Sequence, residues 1–210
     1  VRPKSGRDMS NDPMVMVSWY GAAAYCNWRS QQEGKELCYN LSTWDCDFSK
    51  KGYRLATEAE WEYAGRGGLS GRRFPWGDTI SHTQANYYSW WEEGAPYYPY
   101  DVSPTRYHHP TWNDGVYPYT SPVGSFAGNG YGLYDTAGNV WEWCNDWYSS
   151  SYYSSSPTNN PTGPTIGSYR VLRGGCWGTD ARFCRPAGRG GDRPDGRVSF
   201  FGFRLVLDLN

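Results

Sequence analysis

Tyr53-Arg54-Leu55-Ala56-Thr57-Glu58-Ala59-Glu60-Trp61-Glu62-Tyr63-Ala64 holds the change of period that decides the fold. Gly52 to Leu55 reads as a short strand. Thr57 then stands where a helix N-cap belongs, with Glu60 three residues on, the spacing of a capping box. Trp61 and Ala64 form the apolar side of this helix, and Gly65 to Gly68 end it. Upstream, Ser18 caps an earlier helix. Trp19, Ala22, Ala23 and Cys26 follow at helical spacing, and that helix is expected to end near Gly34. Downstream, Val140–Trp147, Arg170–Gly175 and Phe203–Leu207 read as strands, and Thr120–Phe126 as a strand entry. The class is therefore α+β: two helices, short antiparallel sheets and much irregular loop.

The connecting segments are long. Residues 1–12 form a polar N-terminal arm or linker ahead of a single domain over 13–210. Leu37–Lys51 reads as a loop or small hairpin, Phe74–Asp78 as a turn, and Ser149–Pro164 as a Ser/Tyr/Asn/Pro loop. Tyr87–Thr120 is a long aromatic insertion carrying His108 and His109, and a loop of this length is functional or packed by its own rings. One reading makes it a carbohydrate-binding surface.

Composition narrows the function classes. A net charge of −1 over 210 residues invites neither nucleic acid nor an anionic membrane. No apolar run reaches membrane-spanning length, and no signal peptide is visible. With 12 Trp, 19 Tyr and 26 Gly, the core is expected to pack on large rings. The six Cys contain no CxxC pair, which disfavours a zinc ribbon. Cys38 and Cys46 flank a short polar loop and could pair in an oxidising compartment.

The C-terminal segment Tyr169–Leu207 mixes two kinds of residue. Arg173-Gly174-Gly175, Trp177, Ala181-Arg182, Cys184-Arg185, Ala187, Arg189, Arg193-Pro194, Arg197 and Gly202-Phe203-Arg204 look like scaffold. Between them lie Gly178, Thr179, Asp180, Phe183, Pro186, Gly188, Gly190, Gly191, Asp192, Asp195, Gly196, Val198, Ser199, Phe200 and Phe201, in no helical or strand period. The bland reading is a Gly-rich loop. The sharper one is a scaffolded surface whose interstitial side chains, with Cys176 and Trp177, meet a ligand.

Val17-Ser18-Trp19-Tyr20, Ala24–Trp28, Tyr53–Ala64, Phe74-Pro75-Trp76-Gly77, Gly130–Asp135, Gly138–Trp143, Arg173-Gly174-Gly175 and Gly202-Phe203-Arg204 occur in an order that resembles the formylglycine-generating-enzyme (sulfatase-modifying factor) family. The resemblance covers nearly everything after Pro13 and implies a C-type lectin-like fold. It also implies further strands ahead of this stretch, and Val1 in place of Met suggests a fragment or processed form. The family includes a copper-dependent oxidase that converts a sulfatase Cys to formylglycine, iron-dependent sulfoxide synthases, and non-enzymatic variable proteins of diversity-generating retroelements.

In the oxidase two Cys lie five residues apart after the Gly-Gly turn, because soft thiolates hold Cu(I). Those positions fall on Thr179 and Cys184 here. The expectation is therefore that the chain is not an enzyme and takes no copper, the alternative being an oxidase-type site using Cys176 and Cys184. In the variable proteins, Asn codons AAY become NNY. Every gap residue, and Cys176, is NNY-compatible, so the resemblance implies a diversified binding surface. It also implies structural calcium, held by the Asp135 and Glu142 side chains with the Gly138 and Val140 carbonyls. A second set would be Asn86, the Tyr87 carbonyl, Asp114 and the Val116 carbonyl. The expected partner is a protein or surface glycan of another cell. The expected location is the bacterial cell surface or a phage particle.

Overall fold

Ser18 Oγ accepts the Gly21 N–H at 3.1 Å and starts α1 (Trp19–Gln32). This computed structural model describes residues 8–208, so the first seven residues of the expected arm lie outside the described part. The face of α1 that turns inward is the expected one, with Trp19, Ala22, Ala23 and Cys26 buried. Gly34, at φ +66, ends the helical stretch. β1 (Tyr53–Leu55) leads into α2 (Glu58–Gly65), whose capping box forms as read: Thr57 Oγ1 accepts from Glu60 N, and Glu60 Oε2 accepts from Thr57 N.

The insertion carries one small hairpin, β2 (Trp91–Glu92) and β3 (Ala95–Pro96). The main sheet is built on β4 (Trp141–Trp147). β5 (Arg170–Arg173) pairs with it antiparallel, β6 (Arg189–Asp192) pairs with β5, and β7 (Phe201–Phe203) runs parallel to β4 on the other side. β8 (Leu205–Leu207) leaves that sheet and pairs with β1. The single final strand expected over Phe203–Leu207 is thus two strands in two sheets. They part at Arg204, whose guanidinium turns to the Glu142 carboxylate at 2.6 Å. Thr120–Phe126 forms no strand, because Ser121 spends both backbone groups on the Asn139 side chain. Cys38 and Cys46 stand as free thiols around a Tyr39–Cys46 bridge. No helix among the described residues is long and apolar enough to cross a membrane.

Rings and ions hold the layers together. Trp19 packs edge-on to Tyr20 and Tyr39, and Trp143 to Phe201. The Arg170 guanidinium lies between the Trp19 and Trp147 rings, 3.7 and 3.6 Å from their centroids. Burial pulls its pKa down to about 10. Under α2, Arg173 is wholly buried against Glu58, Glu62 and the carbonyls of Pro186 and Gly188. Arg189 adds a two-pronged contact to the same Glu58.

One carboxyl in this region has no ion-pair partner among the described residues. Asp146 Oδ2 accepts the Glu58 N–H at the start of α2, while its buried Oδ1 has no hydrogen-bond partner. Burial, and then the neighbouring Glu58 and Glu60, push its pKa up to about 7. The folded state therefore holds this proton more tightly than the unfolded chain. Its contribution to stability is complete below pH ~4 and is lost as the pH rises through about 7. Asp146→Asn is expected to remove a decline on the order of 2–4 kcal/mol between those limits. Urea midpoints measured across the range test this, and an unchanged slope in the variant would refute it.

Candidate functional site

The Gly138-Asn139 turn ties the aromatic insertion to the C-terminal segment. Gly138 N–H donates to Gly174 O, and Asn139 N–H donates to Asn86 O. The Asn139 amide exchanges two hydrogen bonds with Ser121, and its carbonyl accepts the Trp177 N–H. Start and exit of the insertion, the Gly-Gly turn and Trp177 are thus fixed by two residues. Asn139 holds a φ of +63, which Asn tolerates better than most side chains.

Gly174 and Gly175 follow with φ of +91 and +73. A Cβ on Gly174 would press on Trp61 at 3.1 Å, and one on Gly175 would meet Cys184 Sγ at 3.1 Å. The next turn closes on Thr179, whose Oγ1 accepts from Cys176 N (2.8 Å) and donates to Cys176 O (3.2 Å). Thr179 O accepts the Tyr88 N–H, and the Trp177 carbonyl contacts His108 Nδ1. Tyr117, Tyr119, His108 and Phe200 surround the Trp177 ring at centroid distances of 5.4, 5.3, 5.7 and 6.1 Å. Trp177 is therefore the floor of a face, not an exposed contact. Gly178, Tyr107 and Tyr117 are exposed above it.

The gap residues do not all point outward. Cys176, Asp180, Pro186, Gly188 and Phe201 are buried with Trp177. Pro186 and Gly188 supply carbonyls to Arg173, and Phe201 packs on Trp143. Asp180 Oδ1 accepts the Arg182 N–H, leaving the Arg182 side chain, read as scaffold, exposed. Phe183, Val198 and Phe200 are half-buried against the core. Trp141 lies on Gly190 and Tyr148 on Gly191, so a Cβ at either would come within 3.1 Å of a ring. Asp195 lines a different groove with Tyr20, Trp147 and Tyr169, and Asp192, Gly191 and Gly196 lie in the same stretch of chain. Around Trp177 the set reduces to Gly178, Thr179, Ser199 and Phe200. Ser199 joins through its carbonyl, 3.4 Å from Trp177 Nε1.

Cys184 lies wholly buried beneath Gly175, and burial, then Cys176, pushes its thiol well above the ordinary range. Burial lifts Cys176 to about 11. Thr179 offers a hydroxyl already spent on its own turn. This donor set does not fit a two-thiolate copper site.

Of the two calcium sets, the first keeps one feature that suits a cation. Asp135 Oδ2 accepts from Gly124 N, but its buried Oδ1 has no hydrogen-bond partner. Burial, and then Glu142, raises its pKa. Glu142 is engaged by Trp61 Nε1 and, through both oxygens, by Arg204. In the second set Asn86 Oδ1 is likewise buried without a hydrogen-bond partner. There the Tyr87 carbonyl faces His82 Nε2, while exposed Asp114 caps its own turn at Val116 N. No three His, Cys, Asp or Glu among the described residues converge as metal ligands.

The model of the sulfatase-modifying factor enzyme 1-like domain matches residues 2–209. A formylglycine-generating enzyme of Streptomyces coelicolor is 40% identical over 100% of this chain and 58% of its own length. A mouse formylglycine-generating enzyme is 39% identical over 95% of the chain and 45% of its own length. The chain thus spans about half the length of these curated relatives. The solved structure of Treponema denticola variable protein 1 superposes with a TM-score of 0.71 at 30% identity, covering 98% of this chain and 74% of that one. The expectation that the chain stands outside the enzymes is corrected by these relatives, because several that are similar over the whole or nearly the whole chain are named as formylglycine-generating enzymes. Thr179 is one position, and the likeness extends over the whole chain.

Proposed function

The chain belongs to the sulfatase-modifying factor enzyme 1-like domain family, and from that premise we propose that it seats a ligand on the face where the insertion meets the C-terminal segment. The carrying observation is the joint construction of that face. Thr179 O binds Tyr88 N, and rings from both segments enclose Trp177. Gly178, Thr179, Ser199 and Phe200 vary the chemistry on a backbone held from below, and such preorganisation lowers the ordering cost of binding. Likeness to a variable protein supports diversification of these four positions. Sequencing the flanking DNA tests it: the expected result is a near-copy of the Tyr169–Leu207 coding stretch differing only opposite adenines. In a screen of immobilised proteins and glycans, Gly178→Trp and Tyr117→Ala are expected to weaken any captured ligand at least tenfold with an unchanged melting temperature. Retained affinity in both variants would place the ligand elsewhere.

A second reading follows from the relatives' names and from Cys184 at the family's second thiol position: a cysteine of a bound peptide is oxidised by dioxygen with a thiol as co-reductant, one oxygen atom entering the aldehyde, the other leaving as water and the sulfur leaving as hydrogen sulfide. An aldehyde formed on a Cys-containing peptide, and lost in Cys184→Ser, would establish it.

Calcium at Asp135 Oδ1 is the accompanying proposal, with the Gly138 and Val140 carbonyls completing an oxygen set. Calcium is expected to raise the melting temperature by a few degrees and Asp135→Asn to abolish the rise. A chelator-insensitive midpoint refutes it.

A further inference from the structure

A second aromatic surface lies beside this face and has its own chemistry. Two nearly parallel ring pairs line it, Trp90–Tyr97 (5.3 Å, 23°) and Tyr98–Tyr100 (5.2 Å, 13°), and Trp76 continues the file, stacked on the buried Phe74 (5.9 Å, 9°). They are linked in series, since Tyr97 meets Tyr98 edge-on and Phe74 meets Tyr100 at a tilt. Trp90 and Tyr97 are 41% and 50% exposed, and Tyr98, Tyr100 and Trp76 are half-exposed. The inner faces of Tyr98, Tyr100 and Trp76 pack on the core around Phe74, but the open Trp90–Tyr97 pair serves no core.

Arginines accompany the file. The exposed Arg73 guanidinium lies over the Tyr100 ring, 4.6 Å from its centroid. Asp180, Arg182 and Arg185 lie close enough to Tyr98 to act on it electrostatically, Asp180 the most, while Arg185 acts on Tyr100 ahead of Asp180. Arg73 donates to the Asp78 carbonyl and Arg185 Nε to the Arg182 carbonyl, and neither forms an ion pair among the described residues. At the Tyr98–Tyr100 end the nearby acids are occupied, since Asp78 pairs with Arg72 and Asp180 with Arg182, whereas exposed Glu92 and Glu93 stand on the hairpin beside Trp90. The uncommitted charge at the Tyr98–Tyr100 end of the file is therefore positive.

We propose that this ledge binds a carboxylated polysaccharide, one built on uronic acid residues. Flat sugar faces stack on the ring pairs, one pair to a sugar, as any π-face accepts an apolar C–H surface. The guanidinium of Arg73 and that of Arg185 present planar N–H forks to the planar carboxylates, the geometry Arg matches two-pronged. A flexible acidic peptide would satisfy the arginines and leave the rings unused. The proposal shares the insertion with the reading above but does not depend on Gly178, Phe200 or Tyr117, so either can fail alone.

The test is calorimetric titration of the whole chain with polygalacturonate, with neutral dextran and poly-L-glutamate as comparators. Polygalacturonate is expected to bind, more weakly as salt rises. Dextran and poly-L-glutamate are expected to bind at least tenfold more weakly. Arg73→Gln and Arg185→Gln should each cost roughly tenfold, the scale of one charge-assisted contact. Trp90→Ala should cost several-fold through lost stacking. Circular dichroism confirms that each variant is folded. Absent binding, equal affinity for poly-L-glutamate, or full affinity in the folded arginine variants would each overturn the proposal.

Discussion

Arg173→Met is expected to lower the unfolding free energy by about 3–5 kcal/mol, read as a collapse of the urea midpoint. Methionine fills much of the volume but none of the bonding. The guanidinium is 0% exposed and serves Glu58 at 3.3 Å, Glu62 at 2.5 Å and two backbone carbonyls. Without it, Glu58 keeps only Arg189 as a cation, and the Pro186 and Gly188 carbonyls lose their charged donor. A buried carboxylate left with one cation in place of two, and two buried carbonyls left without a donor, set the size of the effect. Arg173→Lys keeps the charge but cannot fork to four acceptors, so it should fall between. A methionine variant within 1 kcal/mol of the parent would show that the network is dispensable.

Gly138→Ala is expected to cost about 3 kcal/mol or more, with the damage falling on both sides of the proposed binding face. The backbone there has φ +79, where an L side chain is strained, and the added Cβ would stand 2.3 Å from Asn86 O and 3.0 Å from its carbon. Both are main-chain atoms, so a rotamer change relieves nothing. Either Asn86 moves, releasing the insertion, or Gly138 moves, releasing its bond to Gly174. Raised amide exchange in Tyr87–Ser89 and in Cys176–Thr179 together would report the loss of this joint. Exchange confined to one segment, or an unchanged melting temperature, would contradict it.

Much of the architecture was legible because local chemistry and tertiary need agreed. Ser18, Thr57 and Glu60 announce their helix starts, and the rings of Val140–Trp147 mark the central strand. The division after Phe203 was not legible. Nothing local tells Gly202-Phe203-Arg204 that the arginine will turn to Glu142, more than sixty residues earlier in the chain. The proposed binding segment was legible in outline only. Scaffold and gap residues can be separated by pattern, but burial follows contacts: Arg182 is exposed while Asp180 and Phe201 are not. The role of Asn139 is hidden for the same reason. Its turn chemistry was visible, whereas its grip on Ser121 and Trp177 exists only once distant segments meet. The arginines along the insertion sit elsewhere in sequence, at Arg73 and Arg185, and a reading confined to Tyr87–Thr120 could not collect them.

The pairing of β7 with β4 and of β8 with β1 governs the order in which this chain becomes a folded protein. Tyr53 waits for Leu207, and Trp141 for Phe201, so the sheets close only through contacts of very long sequence separation. Loop-closure entropy is spent before those contacts return anything, which makes folding slow and leaves Trp143, Leu55 and their neighbours open meanwhile. During synthesis the nascent chain would carry this aromatic core unclosed until its last strands emerge from the ribosome. Expression yield should therefore respond more to chaperone supply and growth temperature than to modest gains in native-state stability.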